Sequence, residues 1–256
     1  MRRALRGWRA LIVLAVLIGA WELYVDLGGA DPLILPPPHQ IASSLYTDRA
    51  LLWSNFLVTA EEVLLGILVA AVAGFAFSVA LHLSQRTLRP AVYPLLVGSQ
   101  TIPIPIIAPL LVFWLGFGIL PKLVVIALVS FFSIVVTTLA GLAAVDPDLL
   151  KLMRTFDAPR LRVFRHVELP AALPGLFTGL KIAVAVAVIG AVFAEQAGSN
   201  SGLGYLFQQS LPQLLTARAY AAVAILSAFA IALFALLTLA ERLILPWAYE
   251  PRGDRP

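Results

Sequence analysis

Residues able to do chemistry are few and scattered in this chain. Its three histidines, His39, His82 and His166, are widely separated, each in a different loop or at a span end. No H-E-x-x-H, no G-x-S-x-G and no usefully spaced pair of carboxylates occurs, so no metal-activated water or serine nucleophile can be built from a local motif. The absence of cysteine excludes disulfides and thiolate metal sites. No G-x-x-x-x-G-K-[ST] is present, so ATP phosphates cannot be cradled in the P-loop manner. The expectation is a chain with no catalytic residue, no metal ligand and no cofactor of its own.

Other polar residues sit inside strongly apolar surroundings. Glu22 lies in the first apolar run, where a charge at mid-helix costs about 3 kcal/mol without a partner or an aqueous cavity. It is a candidate pathway residue, although its nearness to the outer end favours a structural contact. Glu61 and Glu62 open the second run and read as interfacial; Lys181 and Glu195 bracket the fifth as end anchors; His82 reads as facing lipid headgroups. Ser99, Gln100 and Thr101 precede Pro103 and Pro105. Prolines there free backbone carbonyls, which lipid tolerates only where that backbone lines a cavity or is packed in protein. These three residues are therefore candidates to line a path. Gly198, Asn200, Gly202 and Gly204 form a glycine-rich outer loop, either a flexible gate or an ordinary turn.

The elements that must position these residues are membrane helices. Hydrophobic residues make up 61% of the 256 and charged residues 12%, with a mean hydropathy of +0.93, outside the globular range. Apolar runs of roughly 20 residues occur at about six places: 10–27, 62–83, 91–117, 123–145, 173–194 and 219–245. The third is interrupted by Pro94, Pro103, Pro105 and Pro109 and reads as a broken helix or two partial crossings. The net charge of +4 would suggest nucleic acid in a soluble protein; here it reports basic cytoplasmic loops, and no nucleic-acid partner is expected. Arg2, Arg3, Arg6, Arg9, Arg86, Arg89, Arg242, Arg252 and Arg255 fall on one side, against Arg49, Lys122 and Arg218 on the other. That asymmetry puts both termini in the cytoplasm. No small-x-small cleavage site follows the first run, which reads as an uncleaved span. After it, Leu35-Pro36-Pro37-Pro38 favours extended backbone, with a short surface helix near residues 40–46. The expected fold is all-α and polytopic, a single domain over 1–256. Small residues at Gly66, Ala70, Ala73 and Gly74 suit close helix packing.

One basic, amphipathic stretch separates the fourth and fifth runs. Between residues 146 and 181, Lys151, Arg154, Arg160, Arg162 and Arg165 face only Asp148, Asp157 and Glu168. Asp146 can cap a helix and Pro147 suits its first turn. Leu149, Leu152, Met153 and Phe156 then fall on one face, with Lys151 and Arg154 turned away. Such a stripe must bury itself in the membrane surface or in a partner protein.

Here the chain resembles a known family. Asp146-Pro147-Asp148-Leu149-Leu150, Arg154, Ala158, Phe164, Val167 and Leu169-Pro170-Ala171-Ala172-Leu173-Pro174 resemble the cytoplasmic loop of binding-protein-dependent ABC importer permeases. The likeness is to the nitrate, sulfonate, taurine and thiamine-precursor type. It continues through Gly179-Leu180-Lys181 and the run from Gly198 to Tyr205, and more loosely over nearly the whole chain. Two departures stand out: the family Glu-Ala-Ala is Lys151-Leu152-Met153, and its loop glycine is Asp157. Asp is among the few residues that tolerate a left-handed turn, so the bend can survive.

The resemblance implies an importer permease whose loop 146–170 carries a coupling helix docking on a separate ATP-binding subunit, which holds ATP and Mg. Docking would involve Leu149, Leu150, Met153, Arg154, Phe156, Asp157, Ala158 and Phe164. It also implies an extracytoplasmic solute-binding protein and a homodimer with the path at its axis. The segment 179–193 resembles most the branch importing thiamine pyrimidine precursors or riboflavin, while sulfonate, taurine and nitrate permeases share the frame. The rival reading, a secondary transporter driven by an ion gradient, predicts mid-membrane ionisable residues and an internal repeat. Neither is evident, Glu22 aside.

Overall fold

A computed structural model describes residues 2–84 and 89–249, with the side chains of 2–8, 10, 11 and 89 left aside. Among the described residues all regular structure is helical. Of the cations that orient the topology, the side chains of Arg2, Arg3, Arg6 and Arg89 and residues Arg86, Arg252 and Arg255 lie outside the described set.

Among the described residues four helices are long and apolar enough to cross a membrane: Arg49–Leu83, Ile119–Ala143, Arg160–Gly198 and Thr216–Ile244. Pro90–Ser99 and Ile104–Leu115 form a bent pair turning by 96°, available as a fifth crossing. Against the expected six, the described residues hold four such helices, or five if the bent pair is one crossing. The first expected span lies in α1 (Arg2–Asp26), which carries Arg9, Glu22 and Asp26 and is not among those crossings. The break in the third span falls where the prolines cluster. Pro103 is extended (φ −68°, ψ 127°) at the start of the second half; it disfavours helical backbone at Ile102 before it, and neither Pro103 nor Pro105 has an N–H to continue the first half.

The described residues through Thr59, with Asn200–Ser227, form one compact unit, and those of 60–199 and 228–249 a second. In the first unit α1 is followed by α2 (Pro38–Thr47) and the first turns of α3 (Arg49–Leu83). α2 starts where the polyproline run ends, with Pro38 at a position whose missing N–H is harmless. Trp21 and Tyr220 meet with ring centroids 6.2 Å apart. At the α2–α3 junction the Asp48 carboxylate accepts from Arg218 through both oxygens (2.8 and 3.0 Å) and from the Ser44 hydroxyl (2.9 Å). The Arg218 hydrogen bond holds the Asp48 carboxyl below its ordinary range, against the opposing pull of burial. A carboxylate depressed in the folded state adds stability above its unfolded pKa and loses it as pH falls through the folded one. The stability difference between the wild type and Asp48→Asn should therefore be constant near neutrality and shrink below about pH 4, as read by thermal unfolding in detergent.

In the second unit the remainder of α3 is followed by α4 (Arg89–Ser99), α5 (Ile104–Leu115), α6 (Ile119–Ala143), α7 (Pro147–Thr155), α8 (Arg160–Val163) and α9 (Leu169–Gly198). α10 (Leu203–Ser210) belongs to the first unit, and α11 (Thr216–Ile244) ends in the second. α6 packs against α9 over an extensive interface. Helices in lipid gain little from apolar burial against each other, so small residues that allow close packing decide the contact. A Cβ at Gly179 would lie 2.3 Å from Thr137 Oγ1 and 2.8 Å from Ile134 Cα, and one at Gly66 would lie 2.4 Å from Ile126 Cγ2. Gly179→Ala should destabilise by about 1–3 kcal/mol, seen as a lower detergent melting temperature. α3 and α4 add Leu81 and Leu96 to Val135 and Leu139 of α6, and α5 adds Ala108 to Val125 and Ala194.

α8, a π-helical turn (Phe164–Glu168) and α9 run together as one 39-residue helix. The wide turn is marked by the Leu169 N–H donating to the Phe164 carbonyl, five residues back. Its cause is Pro170, which cannot donate to the His166 carbonyl and whose ring needs room beside it. The helix that carries the fifth expected span therefore starts at Arg160, and the second half of the loop is helix.

Several ionisable groups read as interfacial are buried. Lys122 of α6 donates to Glu62 of α3 (2.5 Å) and to Ser199 (2.7 Å). Glu195, fully buried on α9, also engages Glu62. Lys181 pairs with Glu241 of α11 (2.8 Å), which the Tyr249 hydroxyl also reaches. His82 is buried too, its Nε2 lying 3.1 Å from Glu168. A charge inside a helix bundle needs a partner because lipid offers no solvation, and these pairs supply it.

Candidate functional site

The amphipathic loop builds one rigid turn-and-stop. Asp146 caps α7, its side chain accepting from the Asp148 N–H (2.9 Å), and Pro147 occupies the first turn. Lys151 and Asp148 pair at 2.8 Å on the open surface, which stabilises little. At the other end Asp157 is left-handed (φ 47°). The Asp157 N–H donates to the Arg154 carbonyl (3.0 Å) and the Ala158 N–H to that of Met153 (3.1 Å). These paired bonds are a Schellman closure, normally built on glycine. The bend therefore survives with Asp in the glycine's place. Asp157→Val should weaken this closure by about 1–2 kcal/mol while Asp157→Gly preserves it, as read by hydrogen exchange of the 156–158 amides.

α7 presents two faces. Leu149, Leu152 and Phe156 are 48%, 50% and 72% exposed, with Met153 half-buried beside them. Pro147, Leu150 and Arg154, on the opposite face, line a cavity of about 850 Å³ together with Ala158, Arg160 and Glu168. The α7 docking candidates thus divide. Leu149, Met153 and Phe156 share the stripe that points away from the cavity; Leu150, Arg154 and Ala158 turn toward it. Asp157 is exposed at the stop, and Phe164 is half-buried at the start of the π turn.

The remaining candidates lie elsewhere. Ser99, Gln100 and Thr101 are all exposed at the 96° break. The Ser99 hydroxyl donates to the Leu96 carbonyl (2.7 Å) and that of Thr101 to Gly98 (2.8 Å). Gly198 ends α9, with its absent Cβ replaced by Val112 methyls at 2.7–2.9 Å. Within the first unit the Gly202 N–H donates to Asn55 Oδ1 and the Leu203 N–H to Thr59 Oγ1, both at 2.8 Å. Gly202 (φ 111°) precedes α10, so two side chains of α3 satisfy the first donors of that helix. Gly204 is buried there and Asn200 exposed. Glu22 accepts from the His39 N–H (3.1 Å) at the start of α2 and pairs with His39 Nδ1. Asp26, one turn on, brings a second carboxylate within 4.8 Å of that pair.

Against this geometry, the family model described as binding-protein-dependent transport system inner membrane component matches residues 62–247. The chain belongs to that family. A probable ABC transporter permease protein of Haemophilus influenzae is 36% identical over 230 residues, covering 90% of this chain and 94% of its own. The formylaminopyrimidine transport permease protein ThiX of Halalkalibacterium halodurans is 34% identical over 248 residues, covering 96% and 98%. Among solved structures, the MetNI methionine ABC transporter in inward-facing form aligns with a TM-score of 0.63 at 19% identity, over 80% of this chain and 97% of its own. That likeness concerns the fold.

This permease of an ABC importer for small solutes is a multi-pass membrane protein. Sequence reasoning missed Asn55, Thr59 and the Glu62–Lys122–Glu195 group. A signal was available: residues 55, 59 and 62 are polar at i, i+4 and i+7, one stripe on an otherwise apolar helix. Arg160 was also missed as a cavity residue, because its partner, the Leu83 carbonyl (2.9 Å), is 77 positions away.

Proposed function

We propose that this permease translocates a small organic solute, with a thiamine pyrimidine precursor favoured, driven by ATP hydrolysis on a separate subunit. The observation carrying this reading is the exposed apolar stripe Leu149, Leu152 and Phe156 on a helix stopped firmly at Asp157. An ATP-binding subunit holding ATP and Mg docks on that stripe, and Asp157 and Phe164 sit where its groove ends. Because α7 leads through one short turn into the 39-residue helix, a displacement of the docked subunit is passed to α9. From α9 it reaches α6, its main packing partner. The chain itself catalyses no reaction.

The rest of the assembly follows the same reading. Residues 1–256 act as one transmembrane domain with 146–170 as its coupling loop. α1 and the bent pair complete six crossings, with both termini in the cytoplasm. Two copies pair with the path at their axis. Gln100, with Ser99 and Thr101, lines that path at the break in the third span, where freed polar backbone is tolerated beside water. Glu22, engaged by His39, anchors α1 to α2. Residues 198–204 form the outer gate, with Gly198, Asn200, Gly202 and Gly204 supplying its freedom and Asn55 and Thr59 its latch. An extracytoplasmic binding protein delivers the solute there. The preference for a pyrimidine precursor rests on the 34% identity to ThiX over nearly both whole chains.

The test is co-purification with the ATP-binding protein encoded nearest to this gene, followed by ATPase and proteoliposome uptake assays with formylaminopyrimidine, riboflavin and taurine. ATP-dependent uptake of the pyrimidine above the other two is expected. A chain that purifies alone and moves solute on an ion gradient without ATP would replace this reading with a secondary transporter.

A further inference from the structure

The cavity behind α7 has a use that docking does not explain. Its wall carries two guanidinium groups, Arg154 and Arg160. Arg160 donates Nη2 to the Leu83 carbonyl (2.9 Å), which covers the negative end of α3 and uses one of the guanidinium's five N–H groups. The acids nearby are engaged or turned away. Glu168 faces His82 at 3.1 Å, Asp148 pairs with Lys151, Asp146 caps α7, and Asp157 does not line the space. Leu142, Val145 and Val163 supply an apolar part of the lining. The result is about 850 Å³ of space at the ends of membrane helices, lined by two arginines and by apolar side chains, with Glu168 held by His82.

We propose that this cavity binds the phosphate group of an amphipathic anion, with Arg154 and Arg160 as its ligands and the apolar lining receiving the adjoining chain. Arginine suits this because its planar fork meets two phosphate oxygens at once. Basic pockets between membrane helices on the cytoplasmic side hold anionic lipid headgroups in the same way. The proposal rests on the reading that this loop faces the cytoplasm. An occupant here would set the height and tilt of α7, since Leu150 and Arg154 belong to the same face of that helix.

The test uses the full-length permease purified with its ATP-binding subunit. Phosphatidylglycerol and cardiolipin retained after delipidation are measured by native mass spectrometry, with and without added inorganic phosphate. Retention should fall roughly fivefold in Arg160→Gln and roughly thirtyfold in Arg154→Gln/Arg160→Gln, the scale of one and two cations acting on an anionic group. Arg160→Lys should recover part of it. Lipid retained despite phosphate supports a membrane source; displacement by phosphate supports a site filled from solution. Equal retention by the wild type and the double variant, with no phosphate-dependent difference between them, overturns the site. Because retention is also measured on permease freed of the ATP-binding subunit, a failure to co-purify would count against the coupling reading alone.

Discussion

Leu149→Asp/Phe156→Asp permease inserts into the membrane in normal amount and no longer holds the proposed ATP-binding subunit through size-exclusion chromatography. Each side chain, buried in a groove, contributes about 1.5–3 kcal/mol, and a carboxylate in its place adds a desolvation penalty. The pair together should weaken association by more than about hundredfold. Lys151→Ala, on the other side of α7, leaves association unchanged. Lys151 is paired only with Asp148 on the open surface. Normal association by the double aspartate variant would remove α7 as the docking element, whatever the transported solute. The prediction depends on which way the stripe faces, and that is settled by the cavity behind α7: Leu150 and Arg154 are turned toward it, so Leu149 and Phe156 are turned away.

Lys122→Met destabilises the permease by about 3–5 kcal/mol, the range for stranding a buried charge. Lys122 donates to Glu62, which Glu195 also engages, and all three are buried where α3, α6 and α9 come together. Glu62→Gln added to Lys122→Met should recover a substantial part of the loss, since the carboxylate that lost its cation is then replaced by a neutral amide. Detergent melting temperatures of the two single variants and the double form the cycle that measures the coupling. Additive losses would mean that the 2.5 Å contact does not hold the helices together. Ser199 shares the ammonium at 2.7 Å. Lys122→Met should therefore also raise hydrogen exchange at the end of α9.

Much of this molecule is local and hence readable along the chain. Runs of apolar residues long enough to span a bilayer, interrupted by prolines at 103 and 105, are enough to anticipate both the helices and the break. The loop helix needs only Asp146, Pro147 and a stripe at i, i+3, i+4 and i+7, and its stop needs only a residue that tolerates positive φ. Asp157 meets that condition and adopts it. The small residues at Gly66 and Ala70 marked a close-packed face, and α6 fills it through Ile126 and Ile134.

The fate of each charge could not be read in the same way. Glu62, Lys122, Lys181, Glu195 and His82 all lie near the ends of apolar runs, where a snorkelling side chain and a buried one look identical in sequence. Their partners are brought near by packing: Lys122 from 60 positions away, Glu241 likewise 60 from Lys181, and Glu168 far from His82. The same holds for the start of the fifth helix at Arg160, where a π turn absorbs Pro170 and carries helix through residues that read as loop. Periodicity and end signals act within one or two turns of helix, so the amino-acid order by itself determined the elements, the break and the stop at Asp157. Which face of α7 turns outward, and which charges are shut inside, depends on pairing between distant segments in a medium that solvates neither. Only the tertiary structure decided those.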